Sequence, residues 1–297
     1  RVIGTGRNTD VGKELERAGV EFWRADIESA SEIEAALASA DTVVHCAART
    51  GDWGSRVEFH RVNVAGTRNV IAACRRHGAE RVVFVSTPSV YATGRDRLLV
   101  RESEPLPPRQ RTHYATTKLR AEQELSALAE DGIGVITLRP RAVFGRYDRN
   151  FLPRVARMAK KGRFPLIGGG RAVVDVTYVE NLVDAVRACL RARGSAWNKT
   201  YNISNGDPLP IARWFERLCR VAGVPFRPKN VPEPLAWTAA LAMEIATALP
   251  FGPRRPLMTR FSVNYMARSM TLSIDEARYR LGYAPRFDTA ASFEDYE

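Results

Sequence analysis

With 297 residues and 45% apolar side chains, the chain can build one large α/β domain, or a domain with a smaller lobe, and has the charge mixture of a soluble globular protein. Its net charge of +12 is carried largely by arginine in scattered pairs such as Arg75-Arg76, without interleaved aromatics; this argues against a nucleic-acid partner and suits a polyanionic cofactor. Four well-separated cysteines and four histidines without ligand spacing exclude a disulfide framework and a metal site, and they place the chain in the cytoplasm; no run reaches the ~18–20 apolar residues of a membrane span.

Val2–Gly6 reads as a strand, and its Gly4-Thr5-Gly6 imitates a phosphate loop. The next glycine, Gly12, falls six residues after Gly6 instead of three, and only a short helix fits before Gly19. The preferred reading makes this the second strand of a nucleotide-binding sheet, with the first strand and true glycine loop lying before Arg1. Val20–Asp26 is the next strand, and Ser29 with Glu32 can cap a helix running to about Ala38. Asp41–Ala48 is a buried strand, followed by one long helix from Phe59 to His77. Arg81–Ser86 is a strand, Thr112–Glu130 a helix and Val135–Arg139 a strand, completing an alternation that predicts a doubly wound parallel α/β sheet.

After Gly145 the pattern loosens. A helix over 151–161 precedes the strand-like Ala172–Tyr178, and proline-punctuated segments follow. The expected organisation is a Rossmann-like domain over 1–145, lacking its first strand and rejoined by 172–205, with a smaller substrate lobe within 146–297. The apolar run 235–249 is interrupted by Glu244. It reads as a buried lobe helix, a cap over a hydrophobic substrate, or a peripheral membrane contact.

Thr112-His-Tyr-Ala-Thr-Thr-Lys118 sets Tyr114 and Lys118 one helical turn apart on one face. A strand ending in two hydroxyls, Ser86 and Thr87, precedes it, and ligands bind at the carboxyl edge of such sheets. With Arg24–Ile27, His45–Ala48, Asn63–Val70, Ser86–Tyr91, Leu138–Gly145 and Asp175–Asn181, this constellation resembles the extended short-chain dehydrogenase/reductases over nearly the whole chain. Thr50–Ser55, Asn69–Gly78, Ile203–Pro210 and Pro256–Phe261 are more narrowly similar to the branch holding 3β-hydroxysteroid dehydrogenases and bacterial 2-alkyl-3-oxoalkanoate reductases.

The resemblance implies that Tyr114 is the general acid of a carbonyl reduction. Lys118 would lower the phenol's pKa and hold the cofactor ribose, and Thr87, with Ser86 as runner-up, would donate to the substrate oxygen. It places Asp26 and Ile27 at the adenine, Ala47 and Ala48 where backbone approaches cofactor, Asn63 in support, and Pro140 and Val143 along the nicotinamide. Trp53, Tyr91 and Tyr147 are candidates for a substrate mouth. Arg7, at the tip of the opening strand, favours NADP(H) over NAD, because guanidinium pairs with a 2′-phosphate where NAD enzymes place an acid. The expected activity is NADPH-dependent reduction of a hydrophobic ketone, a β-keto acid or sterol-like. A nucleotide-sugar epimerase or dehydratase and a non-catalytic NADP sensor are the alternatives, and a homodimer stays open.

Overall fold

A computed structural model describes residues 1–148, 151–160, 162–249, 251 and 253–296. Its contacts divide into two units. One comprises 1–86, 113–137 and 193–199; the other comprises 87–112, 138–192 and 200–297. Residues 87–112 and 138–145, expected with the nucleotide-binding domain, thus cluster with the second unit.

In the first unit, β1 (Ile3–Gly6) leads to α1 (Thr9–Arg17) and β2 (Glu21–Arg24). β1 pairs parallel with β2, Ile3 opposite Glu21 through Gly6 opposite Arg24. The Asn8 side chain caps α1, accepting from the Asp10 and Val11 amides at 2.9 and 3.2 Å. α2 (Ala30–Leu37) starts where expected: Ser29 accepts from the Glu32 amide, while the Glu32 carboxylate turns back to the Asp26 amide at 2.8 Å. β3 (Thr42–His45) pairs parallel with β4 (Arg81–Val85), Thr42 opposite Arg81 through His45 opposite Phe84.

The helix expected from Phe59 to His77 is one continuous helical run from Arg56 to His77 that widens once. α3 (Arg56–His60) gives way to a π-helical turn over Arg61–Ala65, and α4 (Gly66–His77) follows. The widened turn lies where Asn63 is buried, and such turns recur at functional positions. α5 (His113–Ser126) continues as a 3₁₀ turn through Asp131 into β6 (Gly134–Pro140). Ile27, Val70, Cys74, Val82, Phe84, Leu125 and Val135 belong to one buried core.

The second unit contains β5 (Arg97–Val100), β7 (Val143–Phe144), α6 (Phe151–Lys160), β8 (Phe164–Ile167), β9 (Val173–Val174) and β10 (Thr177–Tyr178). α7 (Val179–Arg191), β11 (Lys199–Ile203), β12 (Leu209–Pro210), α8 (Ile211–Val221), β13 (Pro228–Val231), α9 (Glu233–Ala246), α10 (Arg260–Ala267) and β14 (Met270–Leu272) follow. The strand expected over Ala172–Tyr178 is broken at buried Asp175, whose carboxylate accepts from the Leu272 amide at 2.6 Å. β9 therefore joins β12 and β14, whereas β10 joins β7. Phe144, Tyr178, Trp214 and Phe293 pack in its core.

Gly66 sets how closely α4 approaches the chain after β2: a Cβ there would lie 2.9 Å from Ile27 Cγ1. Gly66→Ala should lower unfolding stability by about 1–3 kcal/mol through overpacking, even though alanine is the better helix former by about 1 kcal/mol. Urea titration reads this directly, and a variant as stable as the parent would show that the close approach is not needed.

Candidate active site

Tyr114, Lys118 and Glu122 rise along α5 one turn apart, which brings them to the same side of the helix. Lys118 is 2% exposed; its Nζ donates to the Val85 carbonyl at 2.7 Å and lies 3.8 Å from the centre of the Phe84 ring. Burial pushes the ammonium down to about 7, and the negative charge of Glu122 is the main force in the other direction. His45 is buried beside it, with Nε2 2.9 Å from Thr67 Oγ1. Burial, helped by the Lys118 charge, drives its pKa down to about 3, so this imidazole is neutral and no acid at neutral pH. The Tyr114 ring lies 6.5 Å, centre to centre, from Phe59.

Asn63 ties this helix to the loop after β3. Its Oδ1 accepts from the Arg49 amide at 2.7 Å, and its Nδ2 donates to the Arg49 carbonyl and to Thr117 Oγ1, both at 3.0 Å. It is a buried brace, not a helix-surface amide. Ala47 and Ala48, held by that loop, are exposed and half-buried. Beyond β2, Asp26 receives the Glu28 amide at 3.0 Å, and its other oxygen is 3.6 Å from Arg7 Nη1. Ile27 is buried, with its carbonyl accepting from Asn69 Nδ2 at 2.8 Å.

Tyr114, Lys118, Ser86, Asn63, Ala47, Ala48, Arg7, Asp26 and Ile27 thus fall in the first unit. Ser86 is buried at the end of β4, and its hydroxyl donates to the Glu122 carboxylate. Thr87 opens the second unit and caps a short turn, accepting from the Ser89 amide at 3.2 Å. Tyr91 is fully buried there; its hydroxyl donates to Asn202 at 2.9 Å and accepts from Arg139 at 2.6 Å. Pro140 ends β6 in a buried position, and Val143 is half-buried in β7. Trp53 is half-buried in the loop before α3, whereas Tyr147 is 85% exposed at a positive φ of 65°. Glu122 and His45 escaped the sequence reading. A second one-turn step, Tyr114-x-x-x-Lys118-x-x-x-Glu122, was the available sign of the first; a lone histidine in an apolar strand gives none.

The first unit suits a dinucleotide at two places. The Arg7–Asp26 pair offers a cation and a carboxylate at the tips of the paired strands β1 and β2, and Lys118 is an ammonium held beside a phenol-bearing turn. The start of α1 does not make a third: Asn8 already takes two of its amides, and Asp10 in its first turn repels phosphate. Gly4-Thr5-Gly6 therefore lacks the features of a phosphate cradle.

Residues 1–204 match the model of the NAD dependent epimerase/dehydratase family. The chain belongs to that family. It is 35% identical over 278 residues to the 2-alkyl-3-oxoalkanoate reductase of Stenotrophomonas maltophilia, covering 92% of this chain and 84% of the relative. It is 30% identical over 297 residues to the 3beta-hydroxysteroid-dehydrogenase/decarboxylase isoform 1 of Arabidopsis thaliana, covering 96% and 68%. Among solved structures, UDP-glucuronic acid 4-epimerase from Bacillus cereus in complex with NAD matches with a TM-score of 0.75 at 20% identity, over 100% of this chain and 89% of that one. The family and its named relatives make the chain a nicotinamide-dependent enzyme of the dehydrogenase/reductase class, with a Rossmann-like α/β fold.

The Lys118 environment sets the sign of a pH effect. In the unfolded chain the ammonium persists to about 10.5, its ordinary value, but in the folded chain only to about 7. Between these limits the unfolded chain binds the extra proton, so Lys118 makes stability rise with pH. Measured against Lys118→Met, the parent should gain about 2–5 kcal/mol between pH 6 and pH 10. A difference that stays constant across that range would mean an ordinary, solvated lysine.

Proposed function

We propose that the chain is an NADP(H)-dependent ketone reductase acting on a hydrophobic β-keto acid or sterol-like ketone. The single observation that carries this is the buried Lys118 ammonium one turn from Tyr114 on α5. The nicotinamide, when bound, supplies hydride to the carbonyl carbon. Negative charge then grows on the carbonyl oxygen and must be met by donors fixed in advance. Thr87 donates to that oxygen and Tyr114 transfers its phenolic proton to it, giving a secondary alcohol. A free phenol with pKa ~10 is a reluctant acid at neutral pH; a neighbouring ammonium favours its phenolate and so strengthens it. Lys118 also donates to the cofactor ribose, Asn63 steadies the helix that carries both groups, and Ala47 and Ala48 leave room for cofactor against the backbone. Pro140 and Val143 flank the nicotinamide, with Asp26 and Ile27 at the adenine end.

Arg7 is the residue that prefers a 2′-phosphate. It is exposed at the tip of β1, where its loose pairing with Asp26 leaves donors for a phosphate. The preference for a keto substrate over a nucleotide sugar follows sequence similarity: reductases and sterol dehydrogenases are related at 30–35% identity, whereas the epimerase likeness is one of fold. Tyr114→Phe should cut kcat for ketone reduction by about 10²–10⁴-fold while NADPH binding changes less than about threefold. Steady-state kinetics and a fluorescence titration of the cofactor read the two quantities, and full turnover without the hydroxyl would refute the assignment.

The run 235–249 is taken as the part of the chain that meets a lipid surface. No described helix is long and apolar enough to cross a membrane. α9 instead exposes Leu235 and Ile245, and exposed Leu249, Phe251 and Leu257 follow with exposed Arg254 and Arg255. Apolar side chains flanked by arginine suit an anionic bilayer. Flotation with vesicles should show binding to phosphatidylglycerol that falls at least about fivefold in a Leu235→Ser/Ile245→Ser/Leu249→Ser variant, since each buried apolar group contributes on the order of 1 kcal/mol or more. Equal recovery of parent and variant would remove this contact.

A further inference from the structure

Glu122 is a carboxylate in a place where carboxylates are costly. It is 8% exposed, one turn beyond Lys118 on α5, and accepts the hydroxyl of Ser86, itself 4% exposed at the end of β4. An ionised group survives such burial when it is paired and hydrogen-bonded. On the same helix face lies the buried ammonium of Lys118, which donates to the Val85 carbonyl of the strand that carries Ser86. Two strand-end contacts, one anionic and one cationic, thus fasten α5 to β4.

We infer that Glu122 is a positioning residue: it holds Lys118 in its charged form and takes the Ser86 hydroxyl as its donor. The titratable groups around Lys118 are Tyr114 and Glu122 on its own helix and His45 and Cys46 at the end of β3. His45, neutral in this burial, supplies no charge, and Glu122 contributes more than Cys46 to keeping the proton on Lys118. The consequence for turnover rests on the reductase reading; the effect on Lys118 itself does not.

The test is the midpoint of Lys118 titration in the cofactor-free protein, followed by NMR of a ¹³C label at the lysine ε-carbon. The chain has six lysines, and the Lys118 signal is identified by its loss in Lys118→Met. Glu122→Gln keeps an acceptor for Ser86 but removes the charge, and should lower the midpoint by about one pH unit or more. Glu122→Asp keeps the charge one methylene further away and should shift it by less than half as much. In turnover, the alkaline limb of the kcat/KM profile should move the same way. A Glu122→Gln midpoint within about 0.3 unit of the parent, or equal shifts in the two variants, overturns the inference, because a merely structural contact would not track charge. Should the glutamine variant fail to fold, Glu122→Ala, which also removes the charge, carries the test, and a midpoint within about 0.3 unit of the parent in it is equally fatal. A shifted midpoint in a protein that reduces no ketone would uphold the role of Glu122 and reject the reductase reading instead.

Discussion

The structure is organised around an ammonium that has been taken out of water. Lys118 is buried among the ends of β3 and β4 and the face of Phe84, with a backbone carbonyl as its hydrogen-bond acceptor. Desolvation alone would strip its proton at neutral pH, so the surroundings must be read for what opposes this. The opposing charge comes chiefly from Glu122, and the His45 imidazole beside it is kept neutral. Fold stability would gain from an apolar side chain with apolar partners in this place. Buried cations of this kind concentrate at functional sites, where pKa values are moved by burial and by specific neighbours.

Around this charge the first unit uses small residues and amide bonds to fix distances. Gly66 lets α4 close on Ile27, and Asn69 on the same helix holds the Ile27 carbonyl. Asn63, in the widened helical turn before α4, reaches both the Arg49 backbone and Thr117 of α5. The helix bearing Tyr114 and Lys118 is therefore fixed to the loop carrying Ala47 and Ala48 by hydrogen bonds that do not depend on any ligand. Such preorganisation is what a proton donor requires if it is to act without first moving.

Much of this was legible in the sequence because it is local. Ser29 with Glu32 marked the start of α2, alternating apolar runs marked β3, β4 and β6, and the Tyr114–Lys118 spacing marked α5. Where the reading failed, the cause lay in distant contacts. The helix over 59–77 is continuous as expected, but it widens into a π turn at Asn63, whose partners stand at 49 and 117. The strand over 172–178 breaks at Asp175, which answers an amide nearly a hundred positions away. Glu122 was overlooked because a glutamate in a helix is ordinarily a solvated one; only its burial against Ser86 marks it as different. The apolar run at 235–249 was read in three ways, and the exposure of Leu235, Ile245 and Leu249 removes the fully buried helix from among them.

On the proposed function, this helix completes a net carbonyl reduction. The most direct measurement follows the isotope in a single turnover, with NADPH deuterated at the transferring position of nicotinamide C4 and a 2-alkyl-3-oxo acid, in excess enzyme. Net reduction requires that nicotinamide absorbance be lost in proportion to ketone consumed, with deuterium recovered on the carbinol carbon of the product. Absorbance that falls and returns, or a ketone left unlabelled and intact in that mixture, would contradict it.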